Sequence, residues 1–77
     1  MIRVYTTNSC AFCALVKKYL KSRGHIYEEY NMDISPGYRK EAYDISGALT
    51  VPITVIGKEV IVGWQLPKIN AALQTIA

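Results

Sequence analysis

The chain is poor in the residues from which most catalytic centres and metal sites are built. It contains one histidine, one tryptophan, one phenylalanine and two cysteines in 77 residues. A structural zinc site takes four ligands, and beyond Cys10 and Cys13 there is only His25, so zinc is not expected. Without further cysteines there is no disulfide framework, and an isolated pair fits a reducing cytoplasm better than secretion. Long apolar runs are missing too. None approaches the ~20 residues of a membrane span, and the first residues lack a signal-peptide pattern. Charge is not concentrated: nine Lys and Arg against six Asp and Glu give a mild +3. No basic stripe is interleaved with aromatics, so neither nucleic acid nor membrane is an expected partner. There is no linker, repeat or low-complexity tract, and the length leaves room for one domain over residues 1–77.

What is present is concentrated between Tyr5 and Leu20. Cys10-Ala11-Phe12-Cys13 follows a β-rich segment, Ile2 to Thr6, and precedes a helical pattern over Ala11 to Arg23. Phe12, Leu15, Val16, Tyr19 and Leu20 form an apolar stripe at helical spacing, with Lys17, Lys18, Lys21 and Ser22 on the solvated face and Gly24 as a stop. Cys10 therefore falls at a helix N-terminus. There the unpaired first-turn N–H groups, here those of Phe12 and Cys13, and the helix dipole favour a thiolate, lowering its pKa below the free value of ~8.5. Cys13 lies on the same face three residues on, within reach of a disulfide after a small rotation. An attacking thiol paired with a resolving thiol is the chemistry this spacing suits. The bland alternative is two small buried hydrophobes.

The rest of the chain reads as alternating elements. His25 to Met32 is a second strand, and strand–helix–strand of this length implies a right-handed parallel crossover. Ser35-Pro36 opens a helix carrying Tyr38, Ala42 and Ile45, which Gly47 closes. Ile53–Ile56 and Glu59–Val62 flank Gly57-Lys58, a type II′ hairpin signal. Leu66, Ile69, Leu73 and Ile76 mark the buried side of a last helix. The expected fold is α/β: a four-stranded mixed sheet in order 2-1-3-4 with three helices on its two faces. Pro52 cannot donate to a ladder and marks a strand start or a special turn, and on sequence alone its peptide bond would be trans. His25, at the far end of the first helix, reads as a surface residue.

Tyr5-Thr6 before the cysteines, Thr50-Val51-Pro52 before the Gly57 hairpin, and Val62-Gly63-Trp64 before the last helix together resemble the glutaredoxins over essentially the whole chain. The resemblance implies a thioredoxin fold and a cis Val51–Pro52 bond. It also implies catalysis by Cys10 and Cys13, and a substrate peptide pairing along Val51, with Thr50, Pro52, Gly63 and Trp64 around it. Trp64 and Tyr5 are candidate apolar contacts. Expected partners are a disulfide-bearing protein substrate and an electron source, either glutathione or thioredoxin reductase with NADPH. No bound cofactor is expected, and the chain is expected to act as a monomer. The chain departs from the glutathione-using pattern in having Ala11 and Phe12 between its cysteines, Thr7 where a lysine is usual, and Gln65 and Leu66 where paired aspartates are usual. Gly63-Trp64-Gln65 is similar to the Gly-Phe-Arg of NrdH-type redoxins, which feed ribonucleotide reductase, although Pro67 replaces their acidic residue. Two alternatives remain open: a [2Fe–2S] carrier, because proline is absent between the cysteines, and a redox-inert adaptor.

Overall fold

Side chains alternating along β1 (Ile2–Thr6) feed two separate cores, one on each face of a sheet. The computed structural model describes residues 2–76. After β1 come α1 (Ala11–Ser22), β2 (Glu28–Asn31), α2 (Pro36–Ser46), β3 (Ile53–Ile56), β4 (Glu59–Val62) and α3 (Leu66–Ile76). The strands lie in the order β2-β1-β3-β4. β2 runs parallel to β1, while β3 and β4 are antiparallel to their neighbours, with Val4 opposite both Glu29 and Thr54 and Ile53 opposite Val62. This is the expected sheet.

Ile2, Val4, Ile56 and Ile61 point to one face, where α1 supplies Val16 and Leu20 and α3 supplies Ile69, Ala72 and Leu73. Tyr5, Ile53 and Val55 point to the other, where Ala42 of α2 covers them with Tyr30, Tyr38 and Ile45 packed alongside. Two helices therefore lie on one face and one on the other. Among the described residues no helix is long and apolar enough to cross a membrane.

Local chemistry sets the boundaries. Ser35 is the N-cap of α2 and Pro36 its first residue, although the Ser35 side chain makes no capping bond, and Gly47 closes the helix. At the hairpin Gly57 has φ +59° while among the described residues no non-glycine residue has positive φ, which gives the expected type II′ turn. The second strand is shorter than its pattern suggests. Gly24, at φ +77°, donates to the Lys21 carbonyl at 3.0 Å and His25 to that of Leu20 at 3.0 Å. This is a Schellman ending for α1, and it consumes the backbone of the residues expected to start β2. Ile26, counted as strand, is 92% exposed.

Helix faces needed correction as well. On α1 the buried residues are Cys13, Val16 and Leu20. Phe12 and Leu15, expected inside, are 54% and 42% exposed. The helix is rolled so that Cys13 faces the sheet, and a stripe drawn without Cys13 is offset accordingly. On α3, Ala72 joins Ile69 and Leu73 in the core, whereas Ile76 is 39% exposed. Its γ2 methyl lies over Gly57, past the ends of the strands.

Candidate active site

Between β1 and α1 the chain crosses residues 7–9, and hydrogen bonds from elsewhere hold this short loop. The Asn8 amide donates to Asp33 Oδ2 at 2.7 Å, and Asn31 Nδ2 donates to Asn8 Oδ1 at 2.9 Å. Asp33 is itself set by its own amide, which donates to Asn31 Oδ1 at 2.8 Å. These three residues were not foreseen. The Asn31–Asp33 contact is an Asx turn, a local signal that the sequence did offer. The reach from Asn8 to Asp33 depends on β2 lying beside β1 and has no local signature.

The loop delivers Cys10 as the N-cap of α1, in extended conformation at φ −114°, ψ 106°. Its Sγ accepts a hydrogen bond from the Cys13 amide at 3.1 Å, one of the two expected from the first turn. Cys10 is half-buried, whereas Cys13 is 1% exposed. The two are joined by a disulfide with Cα atoms 5.2 Å apart. A helix N-terminus thus leaves one cysteine partly open to solvent and keeps the other inside.

Thr50 is exposed, Val51 half-buried and Pro52 buried. The Val51–Pro52 bond is cis, as the family resemblance implied and unlike the reading from sequence alone. Ladder pairing starts at Ile53, which leaves the Val51 backbone outside the sheet, while the Val51 side chain packs on the α2-side core. The Gly63 amide donates to the Pro52 carbonyl at 2.7 Å, bringing together two of the segments that carry candidate site residues.

Trp64 is half-buried and meets Tyr19 edge-on, with centroids 6.2 Å apart. That contact lies about 9 Å along α1 from Cys13, six residues at ~1.5 Å each. Leu15, Lys18, Tyr19, Ser22 and Trp64 together line an open groove of about 320 Å³. Gln65 turns its side-chain amide back onto the Val62 carbonyl at 2.6 Å. Tyr5 is no substrate contact: it is fully buried and its hydroxyl donates to the Glu41 carboxylate. Burial first, and then that carboxylate, push the Tyr5 phenol well above its ordinary range. His25 is half-buried at the opposite end of α1.

Lys17, read from the helical pattern as solvated, reaches back to the sheet. Its Nζ donates to Glu29 Oε2 at 2.9 Å, and Thr6 Oγ1 donates to the same oxygen at 2.8 Å. Burial pushes the Glu29 carboxyl up, but these two hydrogen bonds and the Lys17 charge outweigh it and hold the group below the ordinary carboxylate value. Among the described residues no third Cys, His, Asp or Glu gathers with the cysteines into a group able to hold a metal ion.

Comparison with known proteins agrees with this geometry. A family model described as Glutaredoxin matches residues 2–61. A glutaredoxin-like 8.6 kDa protein from the rubredoxin operon of Clostridium pasteurianum, itself uncharacterised, is 30% identical over 74 residues. The match covers 96% of this chain and 99% of that protein. The crystal structure of the thioredoxin-like protein BC3987 superposes with a TM-score of 0.87 at 30% identity, covering 94% of this chain and 99% of that one. The glutaredoxin-like NrdH-redoxin from Escherichia coli superposes with a TM-score of 0.80 at 30% identity, covering 91% of each. The four-stranded sheet with its three helices is the thioredoxin-like fold of these neighbours. Proteins of this kind exchange thiols and disulfides. By its sheet order, its cysteine pair at a helix start and its matched sequence, the chain belongs to the glutaredoxin family.

Proposed function

We propose that the protein is a dithiol–disulfide electron carrier that reduces disulfides in protein partners. In this reading it is recharged by thioredoxin reductase with NADPH in preference to glutathione. The observation that carries the reading is the unequal burial of the two cysteines, with Cys10 half-buried at the helix cap and Cys13 enclosed. In the reduced protein the Cys10 thiolate attacks one sulfur of the partner's disulfide. A Cys10–partner bond forms, and the other partner sulfur leaves as a thiolate that takes up a proton. Cys13, losing its proton, then attacks Cys10 Sγ and expels the second partner sulfur. Two electrons have passed to the partner, and the Cys10–Cys13 bridge remains. The backbone at Thr50 and Val51, outside the strand ladder, is the edge along which the partner's chain aligns.

Disfavoured glutathione use rests on the anchor positions. Leu66 is apolar, Thr7 is uncharged, and the Gln65 amide is already engaged with Val62. Each charge-assisted hydrogen bond not made costs on the order of 1.5–3 kcal/mol, about tenfold or more in affinity. Ribonucleotide reductase is the acceptor suggested by the likeness to NrdH-redoxin. The test is reduction of the purified disulfide form by NADPH and thioredoxin reductase against reduction by glutathione and glutathione reductase. Faster recharging by the first is expected. Equal or faster recharging by glutathione overturns the donor assignment.

A further inference from the structure

Roll α1 toward Cys13 and an apolar flank is left in water. Phe12, Leu15 and Tyr19 follow one another along that flank, and Trp64 closes it from the far side to form the groove beside Lys18 and Ser22. Phe12, between the two cysteines, is 54% exposed, and the groove itself opens at Leu15, about one helical turn further along α1.

Its charge is one-sided. All six acidic residues lie at 28, 29, 33, 41, 44 and 59, and none falls within residues 6–27 or 60–76. The layer made by α1 and α3 therefore carries Lys17, Lys18, Lys21, Arg23 and Lys68 with no acid of its own. Lys17 is matched from the sheet by Glu29, but among the described residues Lys18 and Lys21 make no ion pair. An apolar groove with the unmatched Lys18 in its lining, and Lys21 three residues on along the same helix, is complementary to an acidic segment with an apolar or aromatic anchor.

We propose that this groove is the docking site for such a segment, carried by the protein partner near its reactive disulfide. The aromatic or aliphatic anchor fills the space between Leu15, Tyr19 and Trp64, and Asp or Glu residues beside it meet Lys18 and Lys21. This rests on the electron-carrier reading and adds to it the chemistry of the partner.

The test is single-turnover reaction of the fully reduced protein, followed by stopped flow. The substrates are three synthetic peptides with the same internal disulfide: one flanked by Glu and Asp with a phenylalanine, one with lysines replacing the acids, and one with serine replacing the phenylalanine. Bis(2-hydroxyethyl) disulfide, small and uncharged, serves as the reference. The acidic, phenylalanine-bearing peptide is expected to react about tenfold or more faster than the lysine peptide at low salt, with the advantage falling as salt rises. The serine peptide should fall between them. Lys18→Glu and Leu15→Ser should each remove most of that advantage and leave the rate with the small disulfide unchanged. Lys58→Glu, the same charge change on the hairpin, should leave the peptide ranking as it is.

Equal rates on the three peptides with a normal small-disulfide rate overturn the docking site alone. An equal effect of Lys58→Glu and Lys18→Glu does the same, because it reduces the preference to net charge. Dimerisation abolished by Leu15→Ser, seen by sedimentation, overturns it in favour of a second copy of the chain. No reaction with any disulfide defeats the electron-carrier reading itself.

Discussion

The two faces of the sheet are covered in different ways. Under α2 the packing is aromatic. Tyr5 and Tyr30 meet edge to face at 5.2 Å, and Tyr30 stacks on Tyr38 at 4.8 Å. The Tyr5 hydroxyl donates to Glu41, which Arg3 approaches at 3.6 Å, and Lys40 pairs with Asp44 at 2.8 Å. Both charge signs are present, and these two ion pairs join them. The α1/α3 layer has a larger, mainly aliphatic core beneath it, yet its outer side shows one sign of charge and exposed apolar side chains around a groove. The redox pair sits on this second layer. A small domain has few positions to give to a partner, and the proposed docking groove would draw most of them from α1.

Chemistry offers the sharpest way to break that contrast. Cys10→Ser should abolish disulfide exchange almost entirely. Cys13→Ser should still attack but accumulate the mixed disulfide with its partner, visible by intact mass. Trapping through Cys13 in the Cys10→Ser protein would reverse the assignment.

Stability separates the two sides of α1. Leu20→Ala, at a fully buried position, should cost about 2–5 kcal/mol in urea unfolding. Leu15→Ala, on the exposed side of the same helix, should stay within about 0.5 kcal/mol. Equal losses would mean that the flank is core after all.

The smallest effects are in the pH dependence, and the two faces should divide it. Tyr5 has a raised folded-state pKa, so its contribution is complete below the phenol's unfolded value and is lost as pH climbs beyond it. Glu29 has a lowered one, so its contribution is complete above the unfolded carboxylate value and is lost as pH falls. Tyr5→Phe, which should cost about 1–2 kcal/mol near neutrality, should flatten the alkaline limb of the stability curve. Glu29→Gln should flatten the acid limb, and only modestly, because its carboxylate is about a third exposed. Urea midpoints across pH would show either limb left unchanged.

The elements of the fold were legible because each carried a local signal. Ser35-Pro36, Gly47 and Gly57-Lys58 sit where capping and turn chemistry put them, and the sheet order followed from the crossover and the hairpin. The cysteine pair was legible for the same reason. Faces were harder. Whether Cys13 or Leu15 turns inward is decided by how α1 rolls on the sheet, and periodicity alone counts both as apolar. The start of β2 failed because the end of α1 claimed the backbone of His25. The bond from Asn8 to Asp33 and the pairing of Lys17 with Glu29 cross from one element to another, and no window along the chain contains both partners.

The enclosure of Cys13 bears on timing. In the proposed cycle a partner bound through Cys10 is released by a sulfur three residues away, so release is a unimolecular event whose rate is indifferent to how much thiol the surroundings hold. A sulfur open to solvent could capture a second partner on its own account. Turned from α1 toward the sheet, Cys13 is reserved in this cycle for the bond at Cys10, and the rate of that intramolecular release is set by the fold.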